Sequence, residues 1–66
     1  MTLKWTDALQ IGEELADAHP DVDPLKISFV KLHELVLALP DFKDDPERSN
    51  EAILEAILQA WLDERD

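Results

Sequence analysis

Asn50-Glu51-Ala52-Ile53-Leu54-Glu55-Ala56-Ile57-Leu58-Gln59-Ala60-Trp61-Leu62-Asp63-Glu64 is the stretch on which the fold turns. Its apolar residues Ile53, Leu54, Ile57, Leu58, Trp61 and Leu62 recur by three and four, which gathers them into one broad arc of a helix. Either Ser49 or Asn50 can accept a hydrogen bond from a free N–H of the first turn, so one of them is the expected cap. So wide an apolar face needs partners along most of its length, and this helix is expected at the centre of the fold.

Reading back along the chain, Asp41-Phe42-Lys43-Asp44-Asp45-Pro46-Glu47-Arg48 is a charged loop that only Phe42 can anchor to a core. Before it, Phe29, Leu32, Val36 and Leu39 repeat at helical spacing with Leu35 beside them and Lys31, Glu34 and Ala38 facing out, until Pro40 stops the helix. Asp23-Pro24 has the form of an N-cap followed by proline at the first helical position, so Leu25 and Ile27 lead through a short turn or extended piece into that helix. Upstream of Pro20, Ala8, Ile11, Leu15 and Ala18 form a further apolar stripe, with Leu9, Gly12 and Ala16 beside it and Gln10, Glu13, Glu14 and Asp17 opposite. Thr6 is the expected cap of this first helix, with Asp7 in its first turn. The fold class is therefore all-α: one compact domain over 1–66, with about three main helices and a short turn or minor extended segment near 24–29.

Size and charge narrow the function. A chain of 66 residues buries only about 60% of the surface its unfolded form exposes, which leaves no room for a large catalytic cavity. Sixteen Asp and Glu against six Lys and Arg give a formal charge of -10. That charge repels nucleic-acid backbones and acidic membranes and attracts basic protein surfaces or hard cations. There is no Cys, hence no thiolate ligand, thiol nucleophile or disulfide. No apolar run is long enough to span a bilayer, and the chain is expected to be a cytoplasmic monomer.

Catalytic signatures are missing: there is no nucleophile elbow, no Gly-rich phosphate loop and no HExxH, so no catalytic residue is assigned and the chain is read as a non-enzyme. His19 and His33 are read as packed or half-exposed side chains, because two His without Cys make a zinc site only if carboxylates complete it. Trp61 is expected in the core, whereas Trp5 is either core or an interface anchor. Two acidic groups stand out. Glu51, Glu55 and Asp63 share one ridge of the last helix with Gln59 between them, which is either a solvated face or a docking surface. Asp41, Asp44, Asp45 and Glu47 offer oxygen ligands to hard cations, but without the central Gly and alternating ligands of a calcium loop, so any site there is labile.

The order and spacing of Leu3-Lys4-Trp5-Thr6-Asp7, Ile11-Gly12-Glu13, Pro20-Asp21-Val22-Asp23-Pro24, Leu32-His33, Phe42-Lys43-Asp44-Asp45-Pro46, Ser49-Asn50-Glu51 and Ala60-Trp61-Leu62-Asp63-Glu64 resemble the IscX family across essentially the whole chain. The resemblance implies a winged-helix-like helical domain that serves bacterial iron-sulfur assembly. It implies binding to the cysteine desulfurase through an acidic surface, weak binding of ferrous iron with no tightly held cofactor, and competition with the bacterial frataxin. Lys43 stands where such loops usually carry another acid, which lowers the cation affinity expected there, and Val30 stands where they carry a small polar residue.

The partner-binding surface is accordingly expected at Asp41, Asp44, Asp45, Glu47, Glu51, Glu55, Asp63 and Glu64, with weak metal binding at Asp41, Asp44, Asp45 and Glu47. The first-helix acids Glu13, Glu14 and Asp17 are the alternative face. A regulatory adaptor is the leading reading. An iron donor to the assembly scaffold comes next, and an acidic mimic of nucleic acid that blocks another basic protein last.

Overall fold

The computed structural model describes residues 2–65. Three helices carry the architecture: α1 (Ala8–Ala18), α2 (Phe29–Leu37) and α3 (Glu51–Arg65). Two 3₁₀ turns, Pro24–Lys26 and Pro46–Arg48, lie in the connections before α2 and α3. Both open on an Asp-Pro pair in which the carboxylate accepts the N–H two residues on: Asp23 from Leu25 at 3.0 Å and Asp45 from Glu47 at 2.9 Å. Proline supplies the fixed φ and Asp the missing acceptor, which is why the same dipeptide starts both turns. After the first turn, Ile27 and Ser28 run extended, and the Ser28 hydroxyl caps α2 by accepting from the Lys31 N–H at 3.2 Å.

α1 packs against α3 along a seam of small residues. A Cβ added to Gly12 would lie 2.6 Å from the Ala60 Cβ and 2.8 Å from backbone atoms of Ala60 and Trp61. Only glycine lets the two backbones come this close. Ile11 and Leu15 from α1, Leu32 and Val36 from α2, and Leu54, Ile57 and Trp61 from α3 meet in the interior, and no charged side chain is buried with them among the described residues. Leu3, Trp5, Leu39 and Phe42 complete the core from outside the helices. The Trp61 indole N–H finds no acceptor among the described residues, which costs about 1–3 kcal/mol. Burial of its ring, worth about 4–6 kcal/mol, offsets that cost.

Local chemistry moves some boundaries away from the sequence reading. Thr6 is exposed and does not cap α1. Asp7 is the boundary residue, and its carboxylate turns back to accept the Lys4 N–H at 2.9 Å while its own N–H donates to the Lys4 carbonyl at 2.8 Å. α2 ends at Leu37 rather than running up to Pro40. The residue before a proline avoids helical backbone, and the chain accordingly tightens so that the Leu39 N–H reaches the Val36 carbonyl at 3.1 Å. Ala18 is exposed and Phe29 sits at the rim of the core rather than in it. Of the two candidate caps for α3, Asn50 holds the position, its side-chain oxygen accepting from Ile53 N–H at 2.9 Å.

No strand is present among the described residues. A single parallel bridge joins Leu3 to Phe42, made by the Leu3 N–H to the Asp41 carbonyl at 2.8 Å and the Lys43 N–H to the Leu3 carbonyl at 3.0 Å. The winged-helix-like detail therefore has no β-hairpin wing among these residues, and the all-α class with three helices stands.

Candidate functional site

The acidic loop before α3 is built around Trp5. Phe42 is buried and meets the Trp5 ring edge-on, with centroids 4.7 Å apart, as the anchoring role read for it requires. On its other side Trp5 stacks with His33 of α2, at 5.3 Å and an interplanar angle of 20°. The Trp5 indole N–H donates to the Asp45 carbonyl at 2.6 Å and its backbone N–H donates to Asp44 Oδ2 at 3.1 Å. His33 Nε2 lies 2.7 Å from the Pro46 carbonyl. A carbonyl only accepts, so the proton of that bond sits on Nε2. Tryptophan, histidine and loop thus form one clasp that fixes Asp44, Asp45 and Pro46 in place.

Two of the loop carboxylates are consequently part of the scaffold. Asp44 accepts from Trp5 N–H through Oδ2 and from Asp45 N–H through Oδ1 at 2.7 Å. The Trp5 N–H, then the Asp45 N–H, hold its carboxyl below the ordinary value of 3.8, with Arg48 and Lys4 adding smaller attractions against a little desolvation. Asp45 caps the Pro46–Arg48 turn. Glu47 is exposed beside them.

Asp41 lies elsewhere. It lines an open groove of about 230 Å³ together with Leu3, Gln10 and the α1 acids Glu13, Glu14 and Asp17. The two acidic faces separated in the sequence reading are therefore partly redrawn, since one loop acid belongs with the alternative face. Among the described residues no three Asp, Glu or His side chains are grouped so as to hold a metal ion, so Asp41, Asp44, Asp45 and Glu47 do not form one cage. On α3, Glu51, Glu55, Asp63 and Glu64 all lie exposed, and Gln59 donates to Asp63 Oδ1 at a long 3.4 Å. The ion pair recorded among the described residues joins Arg65 to Asp23 at 3.3 Å, at the opposite end of α3 from the loop.

Sequence reasoning passed over His33 and the structural use of Asp44 and Asp45. For Asp45 the signal was present: Asp45-Pro46 repeats the Asp23-Pro24 pattern already read as a turn start. For His33 and Asp44 there was none, because their partner Trp5 lies far away in sequence.

The sequence profile described as "Iron-sulphur cluster assembly" matches residues 3–66. The chain belongs to that family. It is the family that contains IscX, so the resemblance read from the residues holds, and with it a role in iron-sulfur cluster assembly. An uncharacterized protein of Pseudomonas aeruginosa is 53% identical to the chain over 66 residues, covering all of both sequences. No helix among the described residues is long and apolar enough to cross a membrane.

Proposed function

We propose that this member of the iron-sulphur cluster assembly family is a regulatory adaptor, not a catalyst, which presents its acidic surface to a basic patch on the cysteine desulfurase of the same system. The observation that carries this reading is the exposed acids of α3, Glu51, Glu55 and Asp63 along one ridge with Glu64 next to Asp63, a ridge whose N-terminal end follows the loop in which the Trp5 clasp holds Asp44 and Asp45. Negative charges fixed on rigid elements steer a basic partner and set its orientation at little entropic cost on binding. In this reading ferrous iron is bound weakly and diffusely by the same carboxylates, and a partner site shared with bacterial frataxin accounts for competition between them. The chain works as a cytoplasmic monomer with no tightly bound cofactor.

Charge reversal separates the two faces. Reversal at Asp44 and Asp45 confuses docking with folding, because both carboxylates hold backbone N–H groups. Reversal at Glu51 and Glu55 does not. Titration of the labelled domain with unlabelled cysteine desulfurase, without iron and at low and high salt, is expected to show Glu51→Lys with Glu55→Lys weakening binding by about tenfold or more at low salt, and by less at high salt. The pair Glu13→Lys with Glu14→Lys should weaken it less. Equal losses for both pairs would overturn the face assignment, and no salt-sensitive binding by the unaltered domain would overturn the adaptor itself.

A further inference from the structure

α2 presents to solvent a face that the core does not use. Phe29, Val30, His33 and Glu34 line an open groove of about 340 Å³ whose far wall is Leu54 of α3. Val30 is 71% exposed, and Phe29 at 37% and Leu37 at 38% keep more than a third of their surface in water. His33 and Glu34 lie three and four residues after Val30, and Leu37 four and three after them, so the four share one side of the helix. Leu9 and Leu25 are also exposed but stand singly on other elements. Isolated apolar side chains on a surface are ordinary, whereas a clustered set beside a groove marks an interaction site.

The charge around the groove decides what fits it. Glu34 is part of its lining, and Glu51 and Glu55 flank Leu54 on α3. His33 bonds the carbonyl of Pro46, which stands between Asp45 and Glu47. Against these acids the same segments carry Lys31, Arg48 and Arg65, of which Arg65 pairs with Asp23 at the far end of α3. A second copy of the chain would bring a further formal charge of -10 against the same rim, and acidic lipid headgroups are repelled in the same way. A protein segment with one large apolar side chain for the groove and Lys or Arg on either side for the rim meets both the shape and the charge.

We infer that the α2 groove is the anchor pocket of the acidic docking surface and receives one aliphatic or aromatic side chain from a basic segment of the partner protein. The inference rests on the reading that the acidic surface docks a basic protein, and it adds where the affinity is concentrated. Rim charges act mainly on the encounter rate, while a desolvated apolar anchor acts on the lifetime of the complex. Binding that loses its acids should therefore become slower to form, and binding that loses Val30 should become quicker to break.

Two synthetic peptides of equal length and equal lysine content test this, one with a central Leu and the other with Ser in its place. Each is titrated into the isotopically labelled domain at low and high salt, and again into the Val30→Asn variant, whose exposed site is expected to leave the fold intact, which circular dichroism checks. The expected result is that the Leu peptide shifts the amide signals of Phe29, Val30, His33 and Leu54 and binds about tenfold more tightly than the Ser peptide, a difference of about 1.4 kcal/mol. That difference should survive high salt and vanish in Val30→Asn. Equal affinities, with shifts confined to the acids, would overturn the pocket and leave the acidic docking surface standing. Binding by neither peptide, or Leu-dependent binding that Val30→Asn does not change, would also overturn the pocket. The desulfurase titration described above then decides the docking surface independently.

Discussion

The α1–α3 seam and the Trp5 clasp are both tight contacts between distant parts of the chain, but different forces hold them. At the seam, Gly12 lies against the side chain and backbone of Ala60 and the backbone of Trp61, with no charged group among these atoms, so the contact depends on shape and should be indifferent to salt and pH. In the clasp, Trp5 combines ring contacts to His33 and Phe42 with directed bonds to Asp44 and the Asp45 carbonyl. Shape fixes where the helices sit. Hydrogen bonding fixes where the charges sit, and it does so by using some of those charges as acceptors.

Trp5→Ala should have the largest effect on this contrast. It removes a buried ring and the indole bond to the Asp45 carbonyl, while the backbone bond to Asp44 remains possible, and is expected to cost about 3–5 kcal/mol, a large share of the roughly 3–10 kcal/mol available to a domain of this size. Urea unfolding measures the loss, and hydrogen exchange should show protection at Asp45 to Arg48 falling before that of the α1–α3 contact. Simultaneous loss of both would mean that the clasp and the seam are one cooperative unit.

Gly12→Ala attacks the other region. The new methyl meets backbone as well as side-chain atoms of α3, so the helices must separate, at a cost of about 1–3 kcal/mol. This loss should be the same at low and high salt in thermal unfolding, while the loop amides of Asp44 and Asp45 keep their chemical shifts. A salt-dependent loss would show that charge contributes at the seam after all.

The smallest effect is expected at Asp44, where the carboxylate is partly exposed and solvent screening is strong. Its carboxyl titrates below the ordinary 3.8 in the folded protein, so its ionised form favours folding. That contribution is whole above the ordinary value and is lost as pH falls through the lower, folded-state midpoint. Asp44→Asn should therefore be somewhat less stable than the unaltered domain near neutral pH, with the gap closing once the pH drops below about 3.8. A gap that persists in acid would mean that the amide fails to replace the hydrogen bonds for steric reasons.

The sequence carried the elements whose causes are local. The period of α3 is visible in Ile53, Leu54, Ile57 and Trp61, and the caps at Asn50 and Asp23-Pro24 are short-range events between residues two or three apart; the Ser28 cap, equally local, was not read. The clasp was not legible because Trp5 meets Asp44 and Asp45 at separations of 39 and 40 residues, and no local pattern marks such a meeting. The site was half legible for the same reason: exposed acids on α3 follow from the helical period, while the removal of Asp41 to the α1 face depends on how the bridge to Leu3 turns the loop. Gly12 could be seen beside the apolar stripe, but its need to be small came only from the helix that crosses it.

One further consequence concerns the order in which the chain finds its structure. Helical domains usually fold fast because neighbours in sequence are neighbours in space. Here the first helix packs chiefly on the last, and the N-terminal segment closes onto Asp41 and Lys43 through the Leu3 bridge. Those loops must close before their contacts give any stabilisation, which puts the entropic cost early and the gain late. Neither α1 nor α2 should persist alone, each being shorter than the length at which an isolated helix holds in water. A nascent chain that has not yet released α3 then has nothing for α1 to rest on, so this domain should acquire its structure only once α3 has emerged, not helix by helix.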